Sequence, residues 1–328
     1  MKIRTILVAS IFTFTVGTLK ASDKGCTDPL ASNYNQVATE NDGSCIYKDT
    51  IISPSASVEL PAEVNETSGL MFWNKKLWTH NDSGSNTNLY AIDTISGKVL
   101  QSFKLLRTKN EDWEEITQDN DFIYLGDFGN NNGNRQNLRI VKIPKAKMFT
   151  LAPKLDTIIF SYSNQTNFDS PGAHKTNFDC EAMIVNSDSI YLFTKQWTAN
   201  KTSIYSLSKT PGTQVAKLIS TFNVQGLITG ASFVENKQII ALTGYSVLLQ
   251  PFIYLLYDFK GTDFFGGNKR KIPLSLMFHQ VEAITSTDGY KYYISNESFA
   301  RQPYFSTVQK LHTLDLSFCL SNYLSHFK

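Results

Sequence analysis

Residues 114–124 read EEITQDNDFIY: an acidic first residue, a short apolar strand, a polar turn and a second strand. Four further segments repeat this layout, namely Ser68–Trp78, Glu181–Tyr191, Gly230–Ile240 and Glu282–Tyr292. The first residues of successive copies lie 46, 67, 49 and 52 residues apart. Strand-only self-similarity with a period of about 40–50 residues is typical of a β-propeller. The sequence therefore predicts an all-β chain that forms a five-bladed β-propeller.

Two more strands follow each of these strand pairs, separated by turn residues such as Thr94–Gly97. Four strands in each of five repeats make five blades. The interval of 67 residues between Glu114 and Glu181 is long, so six blades are the alternative. Alternating polarity over Ser57–Leu60 predicts an N-terminal strand that completes the last blade. Such a strand would close the ring and remove an unpaired sheet edge.

The N-terminus has the layout of a secretory signal peptide over residues 1–21. Lys2 and Arg4 precede the apolar run Ile6–Val16, and Leu19–Ala21 ends on a small residue that suits cleavage. The run is too short for a membrane span, which needs about 20 apolar residues. We therefore expect an exported monomer, secreted or displayed on the cell surface, with no membrane span.

Residues 22–48 are predicted to form a small module ahead of the propeller, which would occupy residues 49–328. Cys26 and Cys45 flank a polar loop, and in an exported chain they predict a disulfide. A segment this short buries too little to fold without such a staple. Cys180 and Cys319 have no partner by pattern and are expected to be buried or free thiols. The module's Asn and Asp residues suit turns or, alternatively, Ca²⁺.

Two parts of the chain resemble known families. Gly25–Cys45 resembles a short G-C-T-D-P…D-G-S-C motif of exported proteins from Bacteroidetes-type bacteria. The phrases His80–Gly84, Asp112–Ile116 and Gly126–Asn131 resemble a propeller domain of such proteins, for which no activity is known. Similarity to phytase-like and gluconolactonase-like propellers is looser. These resemblances imply an exported bacterial propeller, and they carry no catalytic residue over to this chain.

The charge balance argues against a nucleic-acid partner. The chain has 31 basic and 29 acidic residues, a net charge of +2. Removal of residues 1–21 takes away Lys2, Arg4 and Lys20 and no acid, which leaves a nearly neutral chain. Proteins that bind nucleic acid usually carry a basic surface, which this composition does not supply.

Several acidic residues should meet at one end of the central channel. If each repeat begins the innermost strand of its blade, the first residues ring one mouth, and the antiparallel second strands end there too. A hard cation such as Ca²⁺ takes six to eight oxygens and would relieve the repulsion among carboxylates. The predicted metal set is Glu114, Glu181, Glu282, Asp82, Asp127 and Asn296. The alternatives are that these side chains cap backbone N–H groups, face water or are neutralised by Lys195.

Two functions fit such a mouth, and no catalytic residue is assigned. The first is binding of a glycan, peptide or small-molecule ligand, because aromatic side chains follow the second strands on the same face. These aromatics are Phe128, Trp197, Tyr245, Phe299, Tyr304 and Phe305. The second is a Ca-dependent hydrolase of phosphate esters or lactones, with a carboxylate or His80 as the base. A purely structural His80 is the simpler interpretation.

Overall fold

The computed structural model describes residues 22–84, 86–150 and 153–327. The expected signal peptide, residues 1–21, lies outside the described residues. Over the described ranges, no helix is both long enough and apolar enough to cross a membrane. Three strands precede the first blade, namely β1 (Lys24–Gly25), β2 (Glu40–Asn41) and β3 (Ala56–Glu59).

The repeats form blades whose strands follow one another outward from the channel. The first blade consists of β4 (Thr67–Trp73), β5 (Lys76–Asn81), β6 (Asn88–Ile92) and β7 (Val99–Lys104). The second consists of β8 (Trp113–Gln118), β9 (Phe122–Asp127), β10 (Leu138–Pro144) and β11 (Asp156–Tyr162). The third consists of β12 (Asp179–Val185), β13 (Ser189–Lys195), β14 (Thr202–Ser208) and β15 (Gly212–Phe222).

The remaining blades complete the ring. The fourth consists of β16 (Leu227–Val234), β17 (Ile239–Tyr245), β18 (Pro251–Tyr257) and β19 (Asn268–Pro273). The fifth begins with β20 (Val281–Ser286) and β21 (Lys291–Asn296), and a small hairpin of β22 (Phe299–Arg301) and β23 (Phe305–Thr307) follows. Its third strand is β24 (Lys310–Asp315), after which the helix α1 (Ser317–Leu324) packs against the fourth and fifth blades.

Strand pairing confirms the five-bladed propeller. β3 pairs antiparallel with β24, with Val58 opposite Leu311, so the predicted N-terminal strand does complete the fifth blade. β11 and β15 pair in parallel and join the second and third blades into one eight-stranded sheet. The long interval after Glu114 holds the connection 163–178 rather than a sixth blade.

The core lies between the blades, because each sheet packs against its two neighbours. The middle strands β17 and β18 are therefore buried on both faces along their whole length. The innermost strands β4, β8, β12, β16 and β20 contact one another in cyclic order around the channel. This arrangement gathers the mouth ends of all five strands in one place.

The N-terminal module is stapled and docked onto the fourth blade. Cys26 and Cys45 form the expected disulfide, while Cys180 and Cys319 are buried free thiols. One carboxylate oxygen of Asp28 accepts the hydroxyls of Tyr47 at 2.8 Å and of Tyr257 in β18 at 2.7 Å. The other accepts the N–H of Leu30 at 2.9 Å.

The other polar residues of the module support turns and docking. Asn35 and Asp42 each accept the backbone N–H two residues further along the chain. Asn41 donates to Asp258 at 2.7 Å and to Asn268 at 2.9 Å. These contacts favour the turn interpretation of the module's oxygen-rich sequence over the calcium one.

Candidate functional site

A β-bulge interrupts every innermost strand near the same mouth of the channel. The pairing register shifts between Trp113 and Glu115, between Cys180 and Ala182, and between Val281 and Ala283. The residues left unpaired are Glu114, Glu181 and Glu282. A bulge re-aims the side chain of its extra residue, and here it turns three glutamates out of the strand pairing.

The positions of the bulges show where the sequence alignment of the repeats is off by a residue. In the fourth blade the unpaired residue is Thr229, not the expected Gly230, and its hydroxyl donates to the carbonyl of Val281 at 2.5 Å. In the first blade Ser68, the expected first residue, stays paired with His80, and the bulge leaves Gly69 and Leu70 unpaired; the Ser68 hydroxyl donates to the carbonyl of Glu114 at 2.7 Å. Two blades thus use a hydroxyl to tie neighbouring strands together, and three contribute a carboxylate.

Three carboxyl groups form the tightest cluster at this mouth. Asp82 follows β5, Asp112 precedes β8 and Glu114 occupies the bulge in β8; one oxygen from each lies within 4.8 Å of the others. The Oδ1 atom of Asp82 is buried without a hydrogen-bond partner. Glu114 is 4% exposed, and its carboxylate makes no hydrogen bond to the described part of the chain. We call these three residues the acidic triad.

The triad's ionised form is destabilised by its surroundings. Burial, followed by the nearby Asp112, raises the pKa of Asp82 well above its usual range. Burial, followed by Glu181, does the same to the pKa of Glu114, and burial raises the pKa of Asp112 to about 6. Protons or a cation must therefore offset this concentration of negative charge.

Gly129 shapes the space around the triad. A Cβ atom at this position would overlap Oε1 of Glu114 and Oδ2 of Asp112. The backbone N–H groups of Phe128 and Gly129 both donate to the Asp112 carbonyl, at 3.1 and 3.2 Å. The loop after β9 thus wraps closely around two of the three carboxyl groups, and only glycine leaves room for them.

A second cluster of charged side chains at the mouth surrounds the buried Lys195. Lys195 Nζ lies 3.2 Å from Oε1 of Glu181, and both side chains are almost fully buried. Burial alone would lower the pKa of Lys195, but Glu181 and its neighbours outweigh burial and hold that pKa well above its usual range. Burial raises the pKa of Glu282 to about 7 and that of Glu297 to about 8. One ammonium thus faces several carboxyl groups.

Two of the predicted metal ligands have their oxygens occupied by protein groups. The carboxylate of Asp127 accepts from Arg135 at 3.0 Å and from Arg139 at 2.6 Å. The side-chain oxygen of Asn296 lies 2.8 Å from Nε2 of His312. Both residues lie where the second strands end, as expected, and Oδ1 of Asp127 also accepts the backbone N–H of Asp112 at 3.2 Å.

The structure adds Asp112, Asp179 and Glu297, which the motif analysis did not select. Asp179 is fully buried and accepts the N–H of Asn130 at 2.5 Å and the indole N–H of Trp197 at 2.7 Å. A signal for two of them is present in the sequence. Asp112 and Asp179 each stand two residues before a bulge glutamate, so an acid-x-Glu spacing begins both strands.

His80 and part of the aromatic set lie away from the mouth surface. His80 is fully buried, its ring contacts Trp113 edge-on, and burial lowers its pKa to about 4. These features match the structural interpretation of this histidine. Phe128 and Tyr245 are also buried, whereas Tyr304 is 80% exposed.

Glu115 crosses the centre of the channel. It is fully buried; its Oε1 accepts the N–H of Ile116 at 3.0 Å and its Oε2 accepts the N–H of Ala231 at 2.8 Å. The N–H of Met183 contributes a further hydrogen bond. These donors belong to β8, β12 and β16, so Glu115 links three innermost strands and blocks the passage between the two faces.

Comparisons with known proteins identify no family. No family model matches this chain, and no curated protein sequence matches it. Among solved structures, a calcium-binding protein, regucalcin, from Agrobacterium tumefaciens is 9% identical, with a TM-score of 0.42 over 81% of this chain and 95% of the other. A glucose dehydrogenase is 11% identical, with a TM-score of 0.42 over 80% of this chain and 100% of the other.

A third solved structure is a putative 6-phosphogluconolactonase from Bacteroides uniformis. It is 12% identical, with a TM-score of 0.34 over 78% of this chain and 71% of the other. Likeness at this level carries no argument about activity. The five-bladed assignment rests on the strand pairing itself.

Proposed function

We propose that this chain is an exported binding protein whose acidic mouth holds a divalent cation, with Ca²⁺ the best match, and engages its ligand on that face. The observation that carries the proposal is the acidic triad, with one oxygen from each of Asp82, Asp112 and Glu114 within 4.8 Å of the others. The donors are all hard oxygens, which suit Ca²⁺. The Cys26–Cys45 disulfide is consistent with export to an oxidising compartment.

The charge balance supports a cation. Burial disfavours the charged forms of Asp82 and Glu114, and neighbouring carboxyl groups add repulsion, so the pKa values of both are raised. Without a compensating charge, these groups can relieve the repulsion only by binding protons. The ammonium of Lys195 is already engaged by Glu181 at 3.2 Å. A divalent cation at the triad would replace the protons, and it would hold coordination positions open for water or a ligand oxygen.

The rim of the mouth suits an oxygen-rich ligand with an apolar face. Phe278 and Phe305 stack at a ring distance of 4.5 Å, and the exposed Tyr304 adjoins them in the β22–β23 hairpin. Partly exposed aromatic rings beside polar groups are typical of surfaces that bind glycans or peptides. A glycan or a peptide could present oxygens to the cation and carbon atoms to these rings.

The alternative function is a metal-dependent hydrolase of phosphate esters or lactones at the same face. One observation favours it: the Glu282 carboxyl, whose pKa burial raises to about 7, titrates where a general acid or base is most effective. A screen of phosphate esters and lactones against the protein and its Glu282→Gln variant tests this alternative. Turnover that disappears in the variant would support the hydrolase.

The binding proposal is tested by thermal unfolding of the protein stripped with EDTA and then titrated with Ca²⁺ or Mg²⁺. A cation that binds only the native state must raise the midpoint, because it adds about 2.7 kcal/mol to the free energy of unfolding at a concentration 100 times the dissociation constant. Glu114→Gln should abolish the rise. The same variant should raise the midpoint of the metal-free protein near neutral pH, because the neutral amide avoids the cost of burying this carboxyl group among other acids.

Glu59→Gln is the matched control, since Glu59 is exposed on the outermost strand of the fifth blade. It should respond to Ca²⁺ as the unchanged protein does. Gly129→Ala offers a second test without altering any charge: the added methyl should displace the triad oxygens and weaken the response. A midpoint that no cation raises, or a rise that persists in Glu114→Gln, would overturn the proposal.

A further inference from the structure

A second cavity lies at the opposite end of the channel, on the face away from the acidic mouth. Its volume is about 760 Å³. All five innermost strands or the turns that follow them contribute to its wall, through Phe72, Thr117, Val185, Ser232 and Thr285. Ligand pockets in proteins typically enclose about 300–1,000 Å³, so this cavity has the size of a small-molecule site. We call it the lower funnel.

The lower funnel is a blind pocket rather than the entrance to a pore. Ile116 and Ala231 form part of its floor, and their backbone N–H groups are bound by the Glu115 carboxylate. Glu115 therefore lies directly behind the floor and separates the funnel from the acidic triad. A ligand in the funnel would contact neither the triad nor a cation bound there.

Most charged side chains in the funnel wall bond to other groups of the protein. Lys209 Nζ lies 2.8 Å from the Asp119 carboxylate, and Lys145 donates to the Asp119 carbonyl. Glu235 accepts the backbone N–H of Ser187 at 2.9 Å. The remaining wall charge is Asp121, which is exposed at the rim. The two basic and three acidic side chains of the wall nearly cancel, so the wall presents no concentrated charge of one sign and favours a neutral molecule.

The uncharged polar groups of the wall, in contrast, are left for a ligand. Thr285 is only 7% exposed, yet its hydroxyl makes no hydrogen bond within the part of the chain that the structure describes. The side chains of Thr117, Asn120, Asn236 and Thr287 also line the funnel and make no hydrogen bond within the described residues, although the last three are exposed to water. Half-buried Phe72 and Phe233 lie among them. The lining therefore combines neutral hydrogen-bonding side chains with aromatic rings.

We propose that the lower funnel binds a neutral carbohydrate of one or two sugar units. A sugar carries hydroxyl groups around its edge and C–H groups on its faces, which match hydroxyl and amide side chains beside aromatic rings. The site differs from the one proposed at the acidic mouth and needs no cation. The two proposals can therefore fail independently.

The test is saturation-transfer NMR on the full protein in EDTA, with cellobiose, maltose and N-acetylglucosamine as probes. At least one probe should bind. Ser187→Trp, at an exposed position in the funnel wall, should fill the cavity and abolish binding. Thr285→Val keeps the side-chain shape and removes the free hydroxyl, and it should weaken binding about tenfold, the effect of losing one hydrogen bond.

Two controls separate the funnel from the acidic mouth. Lys201→Trp places the same large side chain at an exposed position in the loop between β13 and β14, on the opposite face, and should leave binding unchanged. Glu114→Gln alters the triad and should also leave binding unchanged. If none of the three probes binds, or if binding survives Ser187→Trp, the proposal is wrong.

Discussion

The carboxylate of Glu115 accepts the backbone N–H of Ala231 at 2.8 Å, across the channel from the second blade to the fourth. These two blades are not neighbours in the ring, so the bond holds the innermost strands together through the centre of the molecule. It also divides the channel into an acidic mouth and a lower funnel. The two ends of the propeller are therefore separate sites, and the proposals for them can be tested independently.

Substitution of Glu115 by Gln should destabilise the fold by about 1–3 kcal/mol. The amide has a single acceptor oxygen, so one of the backbone N–H groups would face an NH₂ group and remain unsatisfied. Urea unfolding measures the loss, and Glu59→Gln on an outer strand is the control for removing a glutamate. A change in stability no larger than that of Glu59→Gln would show that the central hydrogen bonds contribute little.

In EDTA the protein should become less stable as the pH rises from about 6.5 to about 8, above the range in which the buried His80 and His312 add stability with rising pH. The folded-state pKa values of Asp112, Glu282 and Glu297 are raised to about 6, 7 and 8. A raised carboxyl pKa stabilises the fold while the group is protonated, and that stabilisation is lost as the pH passes through the folded-state value. The pKa of Lys195 lies above this window.

Urea unfolding at a series of pH values measures this slope. Glu282→Gln should flatten it, because the amide does not titrate, and Ca²⁺ should reduce it if the cation replaces the protons. Stability that increases with pH over the same range would contradict the raised pKa values of the mouth carboxyl groups.

Removal of the buried lysine should be among the most damaging single changes at the mouth. Lys195→Met leaves the buried Glu181 without its partner at 3.2 Å, and loss of one member of a buried ion pair typically costs about 3–5 kcal/mol. The loss in urea unfolding should be smaller at pH 5 than at pH 8, because Glu181 can then take up a proton.

The control for this lysine is Lys260→Met. Lys260 pairs with Glu40 on the surface and its side chain is 76% exposed, so its removal should leave the unfolding midpoint nearly unchanged. Equal effects of the two substitutions would argue against a specific role for the buried pair.

One hydroxyl of the propeller should contribute measurably to the docking of the N-terminal module. Tyr257→Phe removes a donor that lies 2.7 Å from the Asp28 carboxylate, and it should destabilise the module's docking by about 1–3 kcal/mol. Limited proteolysis of the connection 49–55 reports docking directly. Tyr254→Phe on the same strand is the control, since the Tyr254 hydroxyl makes no hydrogen bond within the described residues. Equal cleavage of both variants would contradict the docking role.

Much of the architecture was predictable because each repeat shows a local pattern of apolar and polar residues. Apolar runs separated by polar turns locate the paired strands, and the alternation at Ser57–Leu60 predicted the strand that closes the ring. The disulfide between Cys26 and Cys45 followed from two cysteines flanking a polar loop. These features depend on residues close together in the chain, or on a closure rule common to all propellers.

The site was predictable only in part. Glu114, Glu181 and Glu282 do occupy equivalent positions, but the first residue of the fourth repeat was placed one residue too late, since Thr229 is the bulge residue. A bulge adds a residue without changing the apolar pattern, so it leaves no clear mark in a single sequence. Asp127 was selected for its position, yet its two arginine partners come from a later stretch of the chain.

The repeated strand pattern, read alone, predicted five blades with six as the alternative, the closing strand and the general location of the acidic residues, because strand formation and blade closure follow from local apolar periodicity. Which carboxyl groups meet was settled by tertiary structure alone. Asp112 precedes Glu114 by two residues, whereas Asp82 belongs to the first blade and approaches both only when the second blade packs beside it. Burial within the assembled propeller raises the pKa values of the triad. The separate segments are not buried, so their sequences do not predict these shifts.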